Sequence, residues 1–188
     1  GGILCTGAGS GVESCTLVNN TADRFGGGVY AESGVPVKNC IIWQNAAALG
    51  ENHYTGTGGG SFSFNNTIPA AGSACITSDP DFKAAGDFRL SYSSPCVNGG
   101  TNSSWMYSSI DLLGNPRTTG SGADIGAYEI PFVHVASSGS HTPPYQTWGS
   151  AATNIEAALA AAGNGWTVIV TNGIYRSPLE LMVTNALT

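Results

Sequence analysis

The side chains best suited to catalysis lie close together near position 80. Asp79 and Asp81 are two residues apart, so on an extended strand both carboxylates would face one side, as a glycoside hydrolase requires of its paired acids. Asp87 and Arg89 follow, and a basic residue beside an acidic cluster that holds Ca²⁺ is the arrangement of a polysaccharide lyase. The favoured alternative is that Asp79 starts a turn at Pro80 and that Asp81 is solvated. We therefore predict no catalytic residue and no cofactor, and keep Ca²⁺ as the one ion to consider.

The histidines do not indicate a metal site. His53, His134 and His141 are far apart in the sequence, and no spacing of Cys and His residues is typical of zinc. We therefore expect structural or surface roles for all three side chains, and we predict no metal ligand.

Aromatic side chains are stronger candidates for binding, because flat rings can stack on the faces of sugars. Trp43 occupies an outward position of the sequence repeat described below, and Trp105 and Tyr107 lie in a loop between two motifs. The alternative is that these rings pack against the side of the fold. Trp43, Trp105 and Tyr107 are the predicted glycan contacts, and a polysaccharide is the predicted ligand.

A sequence repeat of about 25 residues must position these candidates. Residues 1–6 align with residues 27–32, and residues 13–20 align with residues 38–45. Each repeat holds two short segments in which apolar and polar residues alternate, which predicts strands with one buried face. Such repeats predict a solenoid, in which each coil stacks on the next. The predicted inward residues are Ile3, Cys5, Cys15, Leu17, Val29, Ala31, Cys40 and Ile42.

The ends and corners of the repeats have their own signals. Asn19-Asn20 and Gln44-Asn45 fall at the ends of equivalent strands, where stacked amides can hydrogen-bond in a ladder. The run of glycines from Gly26 to Gly28 supplies a corner with positive φ. Residues 47–74 break the period and predict loops, with one further strand at residues 61–64.

Five cysteines leave at least one thiol without a partner. Cys15 and Cys40 hold equivalent repeat positions, so stacked strands would place their Cα atoms about 4.8 Å apart. That distance permits a disulfide and is equally met by a ladder of buried thiols, which is the favoured interpretation. Cys75 and Cys96 flank a segment typical of a strand and form a second candidate pair.

Five motifs follow one another after position 78. They are Asp79-Pro80-Asp81-Phe82, Gly86-Asp87-Phe88-Arg89-Leu90, Ser94-Pro95-Cys96-Val97-Asn98-Gly99-Gly100, Asp111-Leu112-Leu113-Gly114-Asn115-Pro116-Arg117 and Ala123-Asp124-Ile125-Gly126-Ala127-Tyr128-Glu129. In this order they resemble the C-terminal region of secreted bacterial right-handed parallel β-helix proteins, the choice-of-anchor or pectate-lyase-like family. The resemblance implies that Tyr128 and Phe88 plug the end of the core. It also implies that five charged residues tie down the closing turns: Asp79, Asp111, Arg117, Asp124 and Glu129.

Residues 133–175 resemble the opening of the same family. A first strand leads to an amphipathic helix predicted over residues 151–162, with Thr147 or Ser150 as its N-cap and Gly163 as its end. Its predicted apolar face is Ile155, Ala158, Leu159 and Ala162. Strands are predicted at residues 167–171 and 179–184. The two resemblances together imply an all-β fold, a right-handed parallel β-helix with one short capping α-helix.

The segments that resemble a β-helix protein therefore follow one another in this chain in the order middle, end, beginning. This order predicts a boundary near Pro131, with closing coils in residues 1–130 and an opening in residues 131–188. One explanation is a piece cut across the junction of two consecutive β-helices. The other is a unit that self-associates head to tail by strand addition, with a second copy as partner. Its predicted assembly interface is Gly1, Gly2, Ile3, Leu4, Cys5, Leu181, Val183 and Leu187.

Composition excludes two classes of partner. The net charge is −6 and the six Lys and Arg residues are spread singly, so no basic patch favours nucleic acid. No apolar run approaches the roughly 20 residues that span a membrane. With the resemblance, we predict a non-enzymatic structural or adhesive protein that forms filaments, either secreted or displayed at the cell surface. The alternative is a fragment of a polysaccharide lyase or glycoside hydrolase, or a carbohydrate-binding module.

Overall fold

The computed structural model describes residues 1–7, 9–177, 180, 181 and 183. These residues form mostly short β-strands, and Ile155–Ala161 is the one α-helix among them. The chain folds into two compact units, one of residues 1–117 and 122–129 and one of residues 118–121 and 130–188. In the part that the structure describes, no helix is both long and apolar enough to cross a membrane.

Three successive sequence repeats make up most of the first unit. Residues 1–25 hold strands β1 (Ile3–Cys5), β2 (Val12–Glu13), β3 (Thr16–Val18) and β4 (Thr21–Phe25). Residues 26–50 hold β5 (Val29–Ala31), β6 (Pro36–Lys38), β7 (Ile41–Trp43) and β8 (Ala46–Leu49). The third repeat holds β9 (His53–Thr55), β10 (Ser61–Ser63) and β11 (Asn66–Thr67). Each strand pairs in parallel with its equivalent in the adjacent repeat, which gives the sheets β1-β5-β9, β2-β6-β10, β3-β7-β11 and β4-β8.

The register of these sheets follows the sequence repeat. Ile3 lies opposite Val29, and Thr16 lies opposite Ile41, so the predicted alignment of the first two repeats is confirmed. The prediction that residues 47–74 break the period is wrong, because β8 to β11 continue the parallel pairing. Phe62 lies opposite Val37 and is buried in the same core. A single aromatic ring therefore supports β10, in a segment otherwise so rich in Gly, Ser and Thr that apolar alternation is hidden.

The main core lies between these sheets. The predicted inward residues of the second repeat, Val29, Ala31, Cys40 and Ile42, are all fully buried. Their counterparts in the first repeat pack against the same core but are only partly buried: Ile3, Cys5, Cys15 and Leu17. The predicted set of inward residues is thus confirmed, and the two repeats differ in how completely they are covered.

Glycines and asparagines shape the corners as predicted. Gly26 has a φ of 59°, and a Cβ on Gly27 would lie 2.4 Å from the Glu51 carbonyl oxygen, so this corner needs the small residue. Asn20 Nδ2 donates to Asn45 Oδ1 at 2.9 Å, and Asn45 Nδ2 donates to Asn52 Oδ1 at 3.0 Å. This amide ladder links all three repeats, so the ladder prediction is confirmed.

The motif-rich segment 79–129, without its residues 118–121, completes the first unit. It begins with an antiparallel hairpin of β12 (Phe82–Ala84) and β13 (Asp87–Leu90), and a 3₁₀ helix follows at Ser104–Ser108. Phe88 packs edge-on against Phe82 in this hairpin, at a centroid distance of 5.4 Å, so it lies outside the main core cluster. Tyr128 is half-buried and likewise lies outside that cluster.

Four of the five charged residues expected to tie down turns in this segment do so. Asp111 accepts hydrogen bonds from the backbone of Leu113, Asn115 and Glu129. Asp124 accepts from the Asn98 amide, and Arg117 lies between Gly126 and Glu129. Asp79 is the exception, because it is exposed and its carboxylate accepts from Asp81 within its own turn.

The second unit is built around a strand, a helix and a parallel strand: β14 (Phe132–Val135), α1 (Ile155–Ala161) and β15 (Thr167–Val170). Val133 and Val135 pack with Ala158 in its core. The predicted N-caps Thr147 and Ser150 are wrong, since Asn154 accepts from the Ala157 amide and the helix starts four residues later than predicted. Thr147 and Ser150 instead hydrogen-bond each other in the preceding loop.

Candidate functional site

A cleft of about 460 Å³ lies beside the first repeat, within the first unit. One wall comes from β2, β3 and the turn between them, and the other comes from the segment after the 3₁₀ helix. The residues that line it are Glu13, Ser14, Cys15, Thr16, Leu17, Trp105, Ile110, Asp111, Leu112, Arg117 and Ala127. It brings together an aromatic ring, a thiol, two carboxylates and a guanidinium, which makes it a candidate functional site.

Glu13 holds the rim of the cleft together. Its carboxylate accepts from the Ser103 hydroxyl and from Trp105 Nε1 at 2.9 Å, and Lys38 Nζ lies 3.5 Å away. Burial opposes ionisation of Glu13, but the hydrogen bonds from Ser103 and Trp105 and the Lys38 charge lower its pKa overall. The indole of Trp105 is thereby fixed at the rim, with 43% of the residue exposed.

Arg117 lies at the floor of the cleft and is 2% exposed. Its Nη2 donates to the Gly126 carbonyl at 3.1 Å, and its Nη1 lies 3.8 Å from a Glu129 carboxylate oxygen. Its Nε and Nη1 have no hydrogen-bond partner among the described residues. A buried guanidinium with unused donors leaves positive charge available to neighbouring groups in the cleft.

Cys15 is the nucleophilic group of the cleft. Its Sγ donates to the Glu13 carbonyl at 3.2 Å. The neighbouring Cys40 thiol lowers the pKa of Cys15 to about 7 by hydrogen bonding, which outweighs burial, and the Arg117 charge acts in the same direction. Hydrogen bonding with Cys15 and burial raise the pKa of Cys40, which is fully buried.

All five cysteines are free thiols. Cys15 and Cys40 are both unpaired, as the thiol-ladder prediction expected, but only Cys40 is buried, and the alternative of a disulfide between them is not the state of this structure. Cys75 and Cys96 are also unpaired: Cys75 donates to the Ala71 carbonyl, and Cys96 accepts from Asn66 Nδ2.

The carboxylates near position 80 are engaged in local structure. Asp81 accepts from the hydroxyls of Ser91 and Ser93, which lowers its pKa. Asp87 forms a two-oxygen ion pair with Arg89, whose hydrogen bonds lower the pKa of Asp87 to about 2. Within the described residues, no three His, Cys, Asp or Glu side chains are placed to hold a metal ion. The carboxylates considered for a hydrolase, or for a Ca²⁺-dependent lyase, are thus engaged in hydrogen bonds with nearby serines or in an ion pair with Arg89.

The histidines have structural roles, as expected. His53 packs on Phe62 at a centroid distance of 5.2 Å, and burial lowers its pKa. His134 is buried beside Trp148, and His141 accepts from the Thr153 amide at 3.0 Å.

The three predicted glycan contacts lie in different settings. Trp43 is half-buried at the end of β7, Trp105 stands at the rim of the cleft, and Tyr107 is 70% exposed on the 3₁₀ helix. The structure therefore places Trp105 alone in a concave site.

An aromatic column that the sequence did not reveal consists of Tyr30 in β5, Tyr54 in β9 and Phe25 at the end of β4. Tyr30 lies opposite Tyr54 with ring centroids 5.7 Å apart, and Phe25 lies 4.7 Å from Tyr54. A second cleft, of about 390 Å³, runs beside Phe25, Tyr30 and Leu4. The signal was the spacing of the two tyrosines, but it was lost when residues 47–74 were interpreted as non-repeating.

The predicted assembly residues divide into two groups. Ile3, Leu4 and Cys5 form β1, a terminal strand of its sheet, with Gly1 and Gly2 exposed before it. Leu181 and Val183 are 41% and 59% exposed and belong to no described strand. Leu187 and part of the strand predicted at residues 179–184 lie outside the described residues.

No family model, curated protein or solved structure matches the chain. The resemblance to secreted β-helix proteins therefore stays a prediction.

Proposed function

We propose that the chain is a right-handed parallel β-helix that acts as a non-enzymatic structural or adhesive module outside the cell. In this proposal, units extend by stacking a further coil, supplied by a second copy, on the edge formed by β1 to β4. The observation that supports it best is that these four strands, all from the first repeat, are each the terminal strand of their sheet.

The burial pattern indicates what such stacking would gain. Ile3, Cys15 and Leu17 face the core but are only partly buried, whereas their partners one repeat further along are fully covered. Another coil on this edge would remove their remaining apolar surface from water, at about 25 cal/mol per Å². Because the added coil contacts one side of a unit and leaves the other side for the next, the contact is heterologous and leads to filaments or rings.

The direction of the backbone hydrogen bonds in β1 supports stacking at the same edge. The Ile3 amide donates to the Gly28 carbonyl, and the Cys5 carbonyl accepts from the Glu32 amide, so Ile3 and Cys5 point their backbone groups toward β5. Alternate residues of a parallel strand bond to opposite neighbours, so the Leu4 amide points to the open side. An open row of this kind favours strand addition.

A substitution at Leu4 tests the proposal. Leu4→Pro removes the outward amide without removing a bond to β5, and Leu4→Ala removes the side chain but keeps that amide. We expect concentration-dependent assembly, by sedimentation and electron microscopy, in the wild type and in Leu4→Ala, with at least tenfold weaker assembly in Leu4→Pro. Monomeric wild-type protein at high concentration would refute the proposal.

Carbohydrate binding is a second candidate, supported by the aromatic column Phe25, Tyr30 and Tyr54. Rings at the spacing of neighbouring repeats, with planes inclined at 24° for Tyr30 and Tyr54 and at 32° for Phe25 and Tyr54, offer an aromatic surface for a polysaccharide chain. Tyr54→Ala is expected to weaken retention in gels containing polygalacturonate, alginate or xylan, and Trp105→Ala is expected to leave it unchanged. The opposite pattern would move the binding site to the cleft. Release of reducing ends or unsaturated products from these glycans would instead favour an enzyme.

A further inference from the structure

Cys15 and Cys40 occupy the same position in two adjacent repeats. Thr16 lies opposite Ile41 in the parallel pair of β3 and β7, and the Ile41 amide donates to the Cys15 carbonyl. Neighbouring strands lie about 4.8 Å apart, which is within the Cα separation of disulfides. The two thiols also adopt the same local arrangement, because each donates to the carbonyl two residues before it, at 3.2 Å for Cys15 and 3.1 Å for Cys40.

The two thiols differ in access. Cys15 is partly buried and lines the 460 Å³ cleft, whereas Cys40 is fully buried. Arg117 lies in the same cleft, and its positive charge favours the thiolate form of Cys15, while the charge of Glu13 opposes it. The lowered pKa of Cys15 agrees with this geometry, since it places a substantial fraction of thiolate at neutral pH.

We propose that Cys15 and Cys40 form a reactive dithiol, in which Cys15 attacks small organic disulfides that enter the cleft and Cys40 resolves the product. The Cys15 thiolate attacks one sulfur of the disulfide RS–SR. The S–S bond breaks, a mixed disulfide forms on Cys15, and RS⁻ leaves and takes up a proton.

The second step uses the buried thiol. The mixed disulfide removes the Cys15 thiolate, which is one of the groups that raises the pKa of Cys40. Cys40 then loses its proton to solvent and its sulfur attacks Cys15 Sγ, which releases the second RS⁻ and forms the Cys15–Cys40 disulfide. In total, two protein thiols are oxidised and one RS–SR is reduced to two RSH.

Cys5 provides a matched control within the same repeat. It is also a partly buried inward residue, but Ala31 lies opposite it in β5, so it has no thiol in the next repeat. Cys96 is a poor competitor, because burial raises its pKa to about 11. The site therefore requires both an open cleft and a second thiol one repeat away, and Cys15 meets both conditions.

The test uses the reduced full chain at a concentration at which it is monomeric, because a coil stacked on the first repeat would cover Cys15. The reagent is oxidised glutathione, and the products are identified by peptide mass spectrometry. The wild type and Cys5→Ser are expected to form the Cys15–Cys40 disulfide without retaining glutathione. Cys40→Ser is expected to retain one glutathione on Cys15, and Cys15→Ser is expected to form neither product. In the wild type, iodoacetamide at neutral pH should alkylate Cys15 about tenfold faster than Cys5, because Cys15 lines the cleft and its pKa is lowered.

Two results would overturn the proposal. One is a wild-type protein that keeps a stable glutathione on Cys15 while Cys40 stays reduced, because the second step would then fail. The other is alkylation of Cys15 no faster than that of Cys5, a measurement that needs no variant and so does not depend on whether a variant folds.

Discussion

The first and second repeats have the same pattern of strands and lie in register, yet their equivalent residues meet different surroundings. Val29 and Ile42 of the second repeat are fully buried, whereas Ile3 and Leu17 of the first repeat are partly exposed. The difference comes from position, because β5 and β7 have a strand on both sides and β1 and β3 have a strand on one side. Equal sequence patterns thus produce a closed core in one repeat and an open edge in the other.

The same difference separates two chemically identical groups. The Cys40 thiol is enclosed by the repeats on either side, while the Cys15 thiol faces a cleft that also contains Arg117. An inward side chain with a repeat on both sides is buried and serves the core. An inward side chain with a repeat on one side and a cleft on the other is accessible to reagents. This comparison leads to three predictions.

Core truncation should show the largest difference between the repeats. Leu17 and Ile42 lie opposite each other, so Leu17→Ala and Ile42→Ala remove side chains of similar size at matched positions. We expect Ile42→Ala to lower the free energy of unfolding by about 3–4 kcal/mol and Leu17→Ala by about 1–2 kcal/mol. Urea unfolding followed by circular dichroism measures both. Equal losses in a monomeric protein would contradict the assignment of the first repeat as an open edge.

The amide ladder should show a smaller difference in the same direction. Asn45 is buried and bonds to Asn20 on one side and to Asn52 on the other, whereas Asn20 ends the ladder. Asn45→Ala leaves partners unsatisfied on both sides and is expected to cost about 2–3 kcal/mol, and Asn20→Ala about 1 kcal/mol. Thermal unfolding of the two variants provides the comparison, and a larger effect at Asn20 would show that the ladder is not organised around Asn45.

The two thiols should differ in how their reactivity depends on pH. The pKa of Cys15 is lowered to about 7 by the Cys40 thiol, so its alkylation rate should rise as pH increases through about 7 and then level off. Cys40 should stay protected over the same range, because burial and the Cys15 thiolate raise its pKa. Peptide-resolved alkylation from pH 5.5 to 9 tests this expectation. A midpoint near the usual thiol value of about 8.5 would show that Cys40 does not assist Cys15.

Local patterns predicted the repeats well. Alternating apolar residues identified the inward set from Ile3 to Ile42, and the aligned amides identified the ladder, because both depend on neighbours at a constant offset. The motif-based expectation was sound for Asp111, Arg117, Asp124 and Glu129, which bond to backbone or charge within the closing segment. It failed for Asp79, which is exposed and whose carboxylate accepts from the Asp81 amide in its own turn.

Other features depend on contacts that a sequence pattern does not show. The third repeat was missed because backbone pairing and the single ring of Phe62 support it, with little apolar alternation. The helix start was misplaced because Asn154, Thr147 and Ser150 are all acceptable caps, and only packing of the helix selects among them. The catalytic candidates Asp87 and Arg89 were resolved as a local ion pair, which their spacing alone left open.

The sequence by itself determined two apolar strands in each of the first two repeats, their inward residues, their parallel register and the glycine corner, because each depends on local backbone preferences and on a periodic partner. Only the tertiary structure decided which repeat lies at an edge and which thiol is open. It also placed Trp105, Arg117 and Cys15 around one cleft, although these residues are far apart in the chain. The reason is physical, because burial, pKa and access depend on which residues lie next to a side chain in space. The sequence repeat is the same at the edge and in the interior, so it does not carry that information.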